Sequence, residues 1–261
     1  MAKQTLLEKI KQIRRNCKPV TNCYTMECLE QVVKYWESGE SFAFAFLDHG
    51  VERLIYFAVD QEALQSLLAA VPKGQYCLEF LAKDISENFA LLSGTGFACL
   101  AKMMRMATHF DSAAFAKYPV SKFADETIGF YPEAALAPEI NRVLWNVFDT
   151  RVSHLQSNEE LKTSIKSKEV LIHQSDDGKI DAILQTVVQP RRFYINQVYN
   201  GAEKNVIHAM LQNSLNKYAK AGGKYVYAWV DCQNIASVKF HQKYGLQHDG
   251  MWSMVYVLNK G

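Results

Sequence analysis

The chain has 261 residues, 49% of them hydrophobic, which is enough for one large or two modest packed cores. Its formal net charge of +2 makes no long-range field of the kind that draws nucleic acid or an anionic membrane. No run of about 18 apolar residues occurs, so no transmembrane helix is expected.

The start, Met1 to Lys18, reads as a basic amphipathic helix without the apolar centre or cleavage site of a signal peptide, so a cytoplasmic protein is expected. The six cysteines (Cys17, Cys23, Cys28, Cys77, Cys99 and Cys232) include no C-x-x-C pair. They read as buried thiols in a reducing compartment, with a metal site on Cys17, Cys23 and Cys28 as the outside option because two of the spacings are long for a zinc knuckle.

Apolar residues at helical intervals predict helices over 5–15 (Leu6, Ile10, Ile13) and 26–37 (Cys28, Leu29, Val32, Val33, Trp36). Ser41 to Asp48 and Arg53 to Asp60 predict a hairpin turning at His49-Gly50. A helix over Gln61 to Val71 stops at Pro72, Gln75 to Ala82 is a strand, and Gly96-Phe97 leads into another through Met106. Residues 111–130, with Pro119 and Gly129, lack a period and read as a linker between domains at 1–110 and 131–261.

The second half opens with helices at about 134–148 and from Asn158 to Ile165. A hairpin of Glu169 to Gln174 with Lys179 to Val188 follows, then a strand over Phe193 to Tyr199 and a long helix over Glu203 to Ala221. Tyr225, Tyr227 and Trp229 mark an apolar strand closed by Asp231, and their rings are expected to fill the core. A short helix after Asn234 ends at Gly245, and Gln247 to Leu258 finishes as a strand or bent hairpin.

The halves repeat. Tyr76 and Tyr225 lie 149 residues apart, as do Gly96 and Gly245. The hairpin glycines Gly50 and Gly178 lie only 128 apart, so the first half is shorter by 21 residues between hairpin and central helix. At the 149 offset, Asn234 and His241 correspond to Ile85 and Leu92, neither of which carries a titratable proton.

The run Asn234, Ser237, Phe240-His241, Lys243 and Gly245-Leu246 resembles the late motif of the Gcn5-related N-acetyltransferases (GNAT). That motif has Asn, a small residue, an aromatic-Tyr pair, Lys and Gly-Phe at the same spacing. His241 stands in place of the usual Tyr, as in branches that carry Leu-His-Glu-Lys there, and Leu246 in place of Phe.

The resemblance implies an α/β protein with a mixed sheet, built as two tandem GNAT-like folds, the first a degenerate scaffold. It implies acyl-CoA-dependent N-acyl transfer, with acetyl-CoA as co-substrate and a small-molecule or peptide amine as acceptor, and without nucleic acid or membrane. A homodimer is allowed.

In such a protein a central strand, here Tyr194 to Tyr199, splays from its neighbour. The donor's pantetheine arm then pairs with Gln197, Val198 and Tyr199, and the Val198 N–H serves as oxyanion donor. The pyrophosphate would rest on the helix start at Lys204, Asn205, Val206, Ile207 and His208.

The family's glycine-rich loop maps to Ala202, Asn205 and Ile207, where side chains at Asn205 and Ile207 would narrow the space and Lys204 or His208 would add charge. Asn234, Phe240 and Lys243 would contact the donor. His241 is the candidate acid and Asp231 the candidate base, or alternatively the cap of the turn before Asn234. Arg191-Arg192 would hold an acidic substrate group or be a solvated hairpin end. The competing functions are a non-catalytic ligand-binding protein of the same fold and an aminoacyl-tRNA-dependent transferase.

Overall fold

A computed structural model describes residues 3–23, 27–72, 74–85, 92, 95–109 and 128–259. They fall into two compact units. The first comprises Met1–Met103, Thr150–His154 and Met251–Gly261, and the second Met104–Asp149 and Leu155–Gly250. Most of the expected linker lies outside the described residues.

In the first unit, helix α1 (Lys3–Asn16) turns Leu6, Ile10 and Ile13 inward, and a short strand β1 (Val20–Thr21) follows. The expected helix over 26–37 is instead a 3-10 turn (Glu27–Gln31) and strand β2 (Val32–Ser38). The helical spacing there is outweighed by the β-branched and aromatic Val32, Tyr35 and Trp36, which pair antiparallel with β3 (Ser41–Asp48), while the register shifts at Val33.

β3 pairs antiparallel with β4 (Val51–Ala58), and helix α2 (Gln61–Ala70), capped by Asp60, leads to β5 (Gln75–Ala82). The sheet order in this unit is β2-β3-β4-β5-β11, where β11 (Gln247–Asn259) comes from the far end of the chain. Trp252 to Asn259 pair antiparallel with Ala82 to Gln75, burying Met254, Tyr256 and Leu258 beside Leu64, Leu68 and Tyr76.

Buried Arg53 holds the segment Thr150–His154 to this unit. It donates to the carbonyls of Thr150 (3.0 Å) and Arg151 (3.2 Å) and to the Asp48 carboxylate. His154 bridges Asp48 (3.2 Å) and Glu79 (3.1 Å).

The second unit has the order β6-β10-β9-β8-β7. β6 (Phe97–His109) has residues in both units, as β11 does. Helices α3 (Ala137–Val147) and α4 (Asn158–Lys166, with a Ser157/Glu160 capping box) cover one face of β7 (Val170–Gln174) and β8 (Ile180–Gln189). Helix α5 (Lys204–Lys220) packs on the other face, against β9 (Arg192–Asn200) and β10 (Tyr225–Asp231).

On β10 the buried residues are Val226, Ala228 and Val230. The expected core rings of Tyr225, Tyr227 and Trp229 are half-buried on the opposite face, with Tyr227 stacked on Tyr194 at 4.8 Å. The small and branched residues face the helix because α5 brings its own bulk in Met210, Leu211 and Tyr218. Helix α6 (Ile235–Gln242) then leads through Gly245 (φ 74°) into β11. No helix among the described residues is long and apolar enough to cross a membrane.

Candidate functional site

The second unit's site begins with an extra residue. Along the antiparallel β8–β9 ladder, Thr186 faces Ile195 and Gln185 faces Gln197, so Asn196 bulges out. A bulge reverses the alternation of side chains and sharpens the twist. Before it, Phe193 and Ile195 pack against α5; beyond it, Val198 takes that face and Tyr199 turns toward α3 and α4.

The parallel β9–β10 ladder runs from Arg192↔Tyr225 only to Ile195↔Ala228. Past that pair the strands share no further register among the described residues, so Asn196–Asn200 and Trp229–Asp231 form the arms of a fork. Tyr194 and Ile195, expected within the splay, are still paired, because it is the bulge at Asn196 that turns β9 away.

At the open end, the N–H groups of Gly201 and Ala202 both donate to the Asp181 carbonyl (2.7 and 3.1 Å), fixing the turn from β9 into α5. A Cβ at Gly201 would stand 2.6 Å from the Tyr199 hydroxyl, so a larger residue there requires the Tyr199 ring to move. The N-cap Glu203 makes no side-chain cap bond to the first turn of this 17-residue helix, whose N-terminal end carries the positive pole of the helix dipole.

Lys204 and Asn205 are exposed there. Val206 and Ile207, expected to touch the donor, turn their side chains into the core, so only their backbone is available and Ile207 does not narrow the approach.

His208, expected to add charge, is buried. The Tyr244 hydroxyl accepts from its Nδ1 (2.7 Å) and donates to its backbone carbonyl (3.2 Å). Burial, then the nearby Lys243 and Lys204 ammoniums, lower its pKa, so at neutral pH it carries no charge. The positive charge at this end comes from Lys204 and Lys243, both exposed. Tyr244, which the sequence reading passed over as the residue before a terminating glycine, joins α6 to α5; burial pushes its phenol pKa up.

The motif residues on α6 divide into caps and site. The Asp231 carboxylate accepts from the Gln233 N–H (2.9 Å), and its carbonyl accepts from the Asn234 N–H (3.0 Å). Exposed Asn234 accepts from the Ser237 N–H (3.0 Å) as the N-cap of α6. Both therefore act as turn and cap formers.

The Phe240 ring lies 5.0 Å from that of His208, 5.2 Å from His241 and 5.5 Å from Tyr244. His241 is 3% exposed, and its Nδ1 bonds the Ser237 carbonyl at 2.8 Å. A carbonyl only accepts, so Nδ1 carries the proton and Nε2 presents a lone pair. Nε2 has no hydrogen-bond partner among the described residues. Burial lowers the pKa of this imidazole against the opposing Ser237 carbonyl. A neutral ring in this tautomer accepts a proton at Nε2, which reverses the acid role expected from the Tyr it replaces.

Arg191 and Arg192 sit exposed at the zipped end of β9, before the fork opens. Among the described residues no group of three or more His, Cys, Asp or Glu side chains is placed to hold a metal ion.

A bulged strand, a parallel fork beside it and an uncapped helix following it define the acetyltransferase fold of the GNAT type, and solved structures agree. A GNAT-family acetyltransferase from Colwellia psychrerythraea superposes with a TM-score of 0.55 at 12% identity, covering 97% of both chains. A GCN5-related N-acetyltransferase from Sphaerobacter thermophilus gives 0.55 at 14% identity, over 85% of this chain and 78% of that one. A tandem GNAT protein from the clavulanic acid biosynthesis pathway gives 0.50 at 11%, over 86% and 81%. No family model matches the sequence, and neither does any curated protein.

Proposed function

We propose that the chain is an acyl-CoA-dependent N-acyltransferase of the cytoplasm whose donor site is the fork of the second unit. The observation that carries this reading is the end of β9–β10 pairing at Ile195↔Ala228, directly beside the bulge at Asn196. An extended pantetheine arm would add to β9 along Asn196–Asn200 as a strand does, contacting Gln197, Val198 and Tyr199. Its pyrophosphate would lie on the backbone N–H groups that open α5, with the Lys204 and Lys243 ammoniums nearby.

In the transfer, the amine nitrogen of a small-molecule or peptide acceptor forms a bond to the thioester carbonyl carbon, the C–S bond breaks, and the amine's surplus proton is taken up by a base. The Val198 N–H would hold the developing oxyanion, a contribution of roughly 10² to 10³ in rate. We assign His241, with a lone pair at Nε2, as that base; the burial that lowers its pKa makes it a transient acceptor that gives the proton up again.

We assign the first unit as a second, degenerate copy of the fold. In both units a hairpin strand, a helix and a parallel partner follow in order, and Gly96 (φ 86°) and Gly245 (φ 74°) each precede the last strand.

Titration calorimetry with acetyl-CoA, together with thiol release in the presence of a panel of amines, tests the assignment. Micromolar binding with turnover supports it; no binding up to millimolar donor rejects it. A non-catalytic binder is favoured by one observation, the neutral His241 in place of a phenol acid. Binding without any thiol release would select that reading.

A further inference from the structure

The corresponding fork in the first unit is not open. β4 and β5 share a single parallel pair, Arg53↔Cys77, among the described residues. A strand has two edges, and β3 takes one edge of β4 from Val51 to Phe57, so whatever else pairs with β4 there lies on the fork side. There the chain's own segment is seated: β1 pairs antiparallel with β4, Val20 facing Ala58 and Thr21 facing Phe57.

The next residue continues the strand with its side chain. Asn22 Nδ2 donates to the Leu54 carbonyl (2.9 Å) and Asn22 Oδ1 accepts from the Tyr56 N–H (2.9 Å). The Thr21 hydroxyl donates to the Tyr56 carbonyl (2.6 Å). Asn22 is 3% exposed and Tyr56 1%. A carboxamide thus makes the two-bond exchange with β4 that an amide of an extended ligand would make.

We propose that the first unit's fork is a strand-accepting site filled permanently in cis by Val20–Asn22, so that the chain takes up one acyl donor and not two. The donor count rests on the reading of the second fork as the donor site; the filled first fork does not. Asn22 closes the site because it satisfies buried backbone groups on both sides of one residue, Ile55, and any ligand entering there must first leave the Leu54 carbonyl and the Tyr56 N–H without partners. The two halves therefore differ in having one fork open and the other filled by the chain itself, which accounts for a first half without a titratable residue at Ile85 and Leu92.

Two readouts separate this proposal from the donor assignment. Hydrogen exchange of the Tyr56 amide is expected to be slow in the native chain and at least about tenfold faster in Asn22→Ala, with amides paired to β3 unchanged. Asn22→Asp, which can still accept from Tyr56 but cannot donate to Leu54, should fall between, and Thr21→Val supplies a milder opening should Asn22→Ala fail to fold. Titration with acetyl-CoA should give one equivalent per chain. Two equivalents, or a Tyr56 amide that exchanges equally fast in both chains, overturn the proposal. Zero equivalents with a protected Tyr56 amide would reject the donor assignment and leave the filled fork standing.

Discussion

Histidines in the two units respond to pH in opposite directions. Burial lowers the pKa of His208 and His241, so below about 6.5 the unfolded chain takes up protons that these rings refuse in the folded state. Stability contributed by the second unit should therefore be intact above about pH 6.5 and fall as the pH drops beneath it. Urea denaturation between pH 7 and 5 should show this slope, and His241→Phe should reduce it.

At His154 the balance is reversed. Desolvation by the surrounding protein opposes the imidazolium, but the hydrogen bonds to Asp48 and Glu79 outweigh it and raise the pKa of this exposed ring. Its contribution is present below about 6.5 and is lost as the pH rises through the raised value, so His154→Ala should flatten the alkaline side of the first unit's stability curve. For the proposed reaction, His241→Ala should lower kcat by about 10²-fold and leave the KM for the acyl donor little changed, read from initial rates over a donor series.

At the level of elements, Tyr244→Phe isolates the tie between α5 and α6. It removes an acceptor from the His208 Nδ1–H and a donor from the His208 carbonyl, both buried, and should cost about 1–3 kcal/mol in chemical denaturation. Ser157→Ala, which breaks the capping box of α4, should cost about 1 kcal/mol.

Elements marked by turns and caps were legible in the sequence: Ser41–Asp48, Gln75–Ala82 and Tyr225–Asp231 lie where alternation and glycine placed them. Residues 32–38 were not, since Val32, Val33 and Trp36 satisfy a helical period and a strand equally, and pairing with β3 decides between them. The inward face of β10 was misjudged because alternation gives two faces without saying which one meets a helix. The bulge at Asn196 leaves no mark on the sequence, since its cause is the register of two ladders. At the site, the positions on α6 were legible from motif spacing, but the tautomer of His241 and the bond from His208 to Tyr244 depend on burial that spacing does not encode.

On the scale of the whole molecule, neither unit is a continuous stretch of chain. Removing Met251–Gly261 would strip Met254, Tyr256 and Leu258 from the first unit's core and unpair Gln75–Ala82. Hydrogen exchange should then show loss of protection in β5, and the bare edge should promote aggregation during concentration. The hydroxyl of Ser253 meets the Glu79 carboxylate across 174 residues of sequence. On a translating ribosome adding 5–20 residues per second, the early half must therefore wait roughly 10 to 35 s for its missing strand. During that interval it has an unclosed flank, so a nascent chain of this protein is a natural client for holdase chaperones, and slow codons in its second half would prolong the exposure.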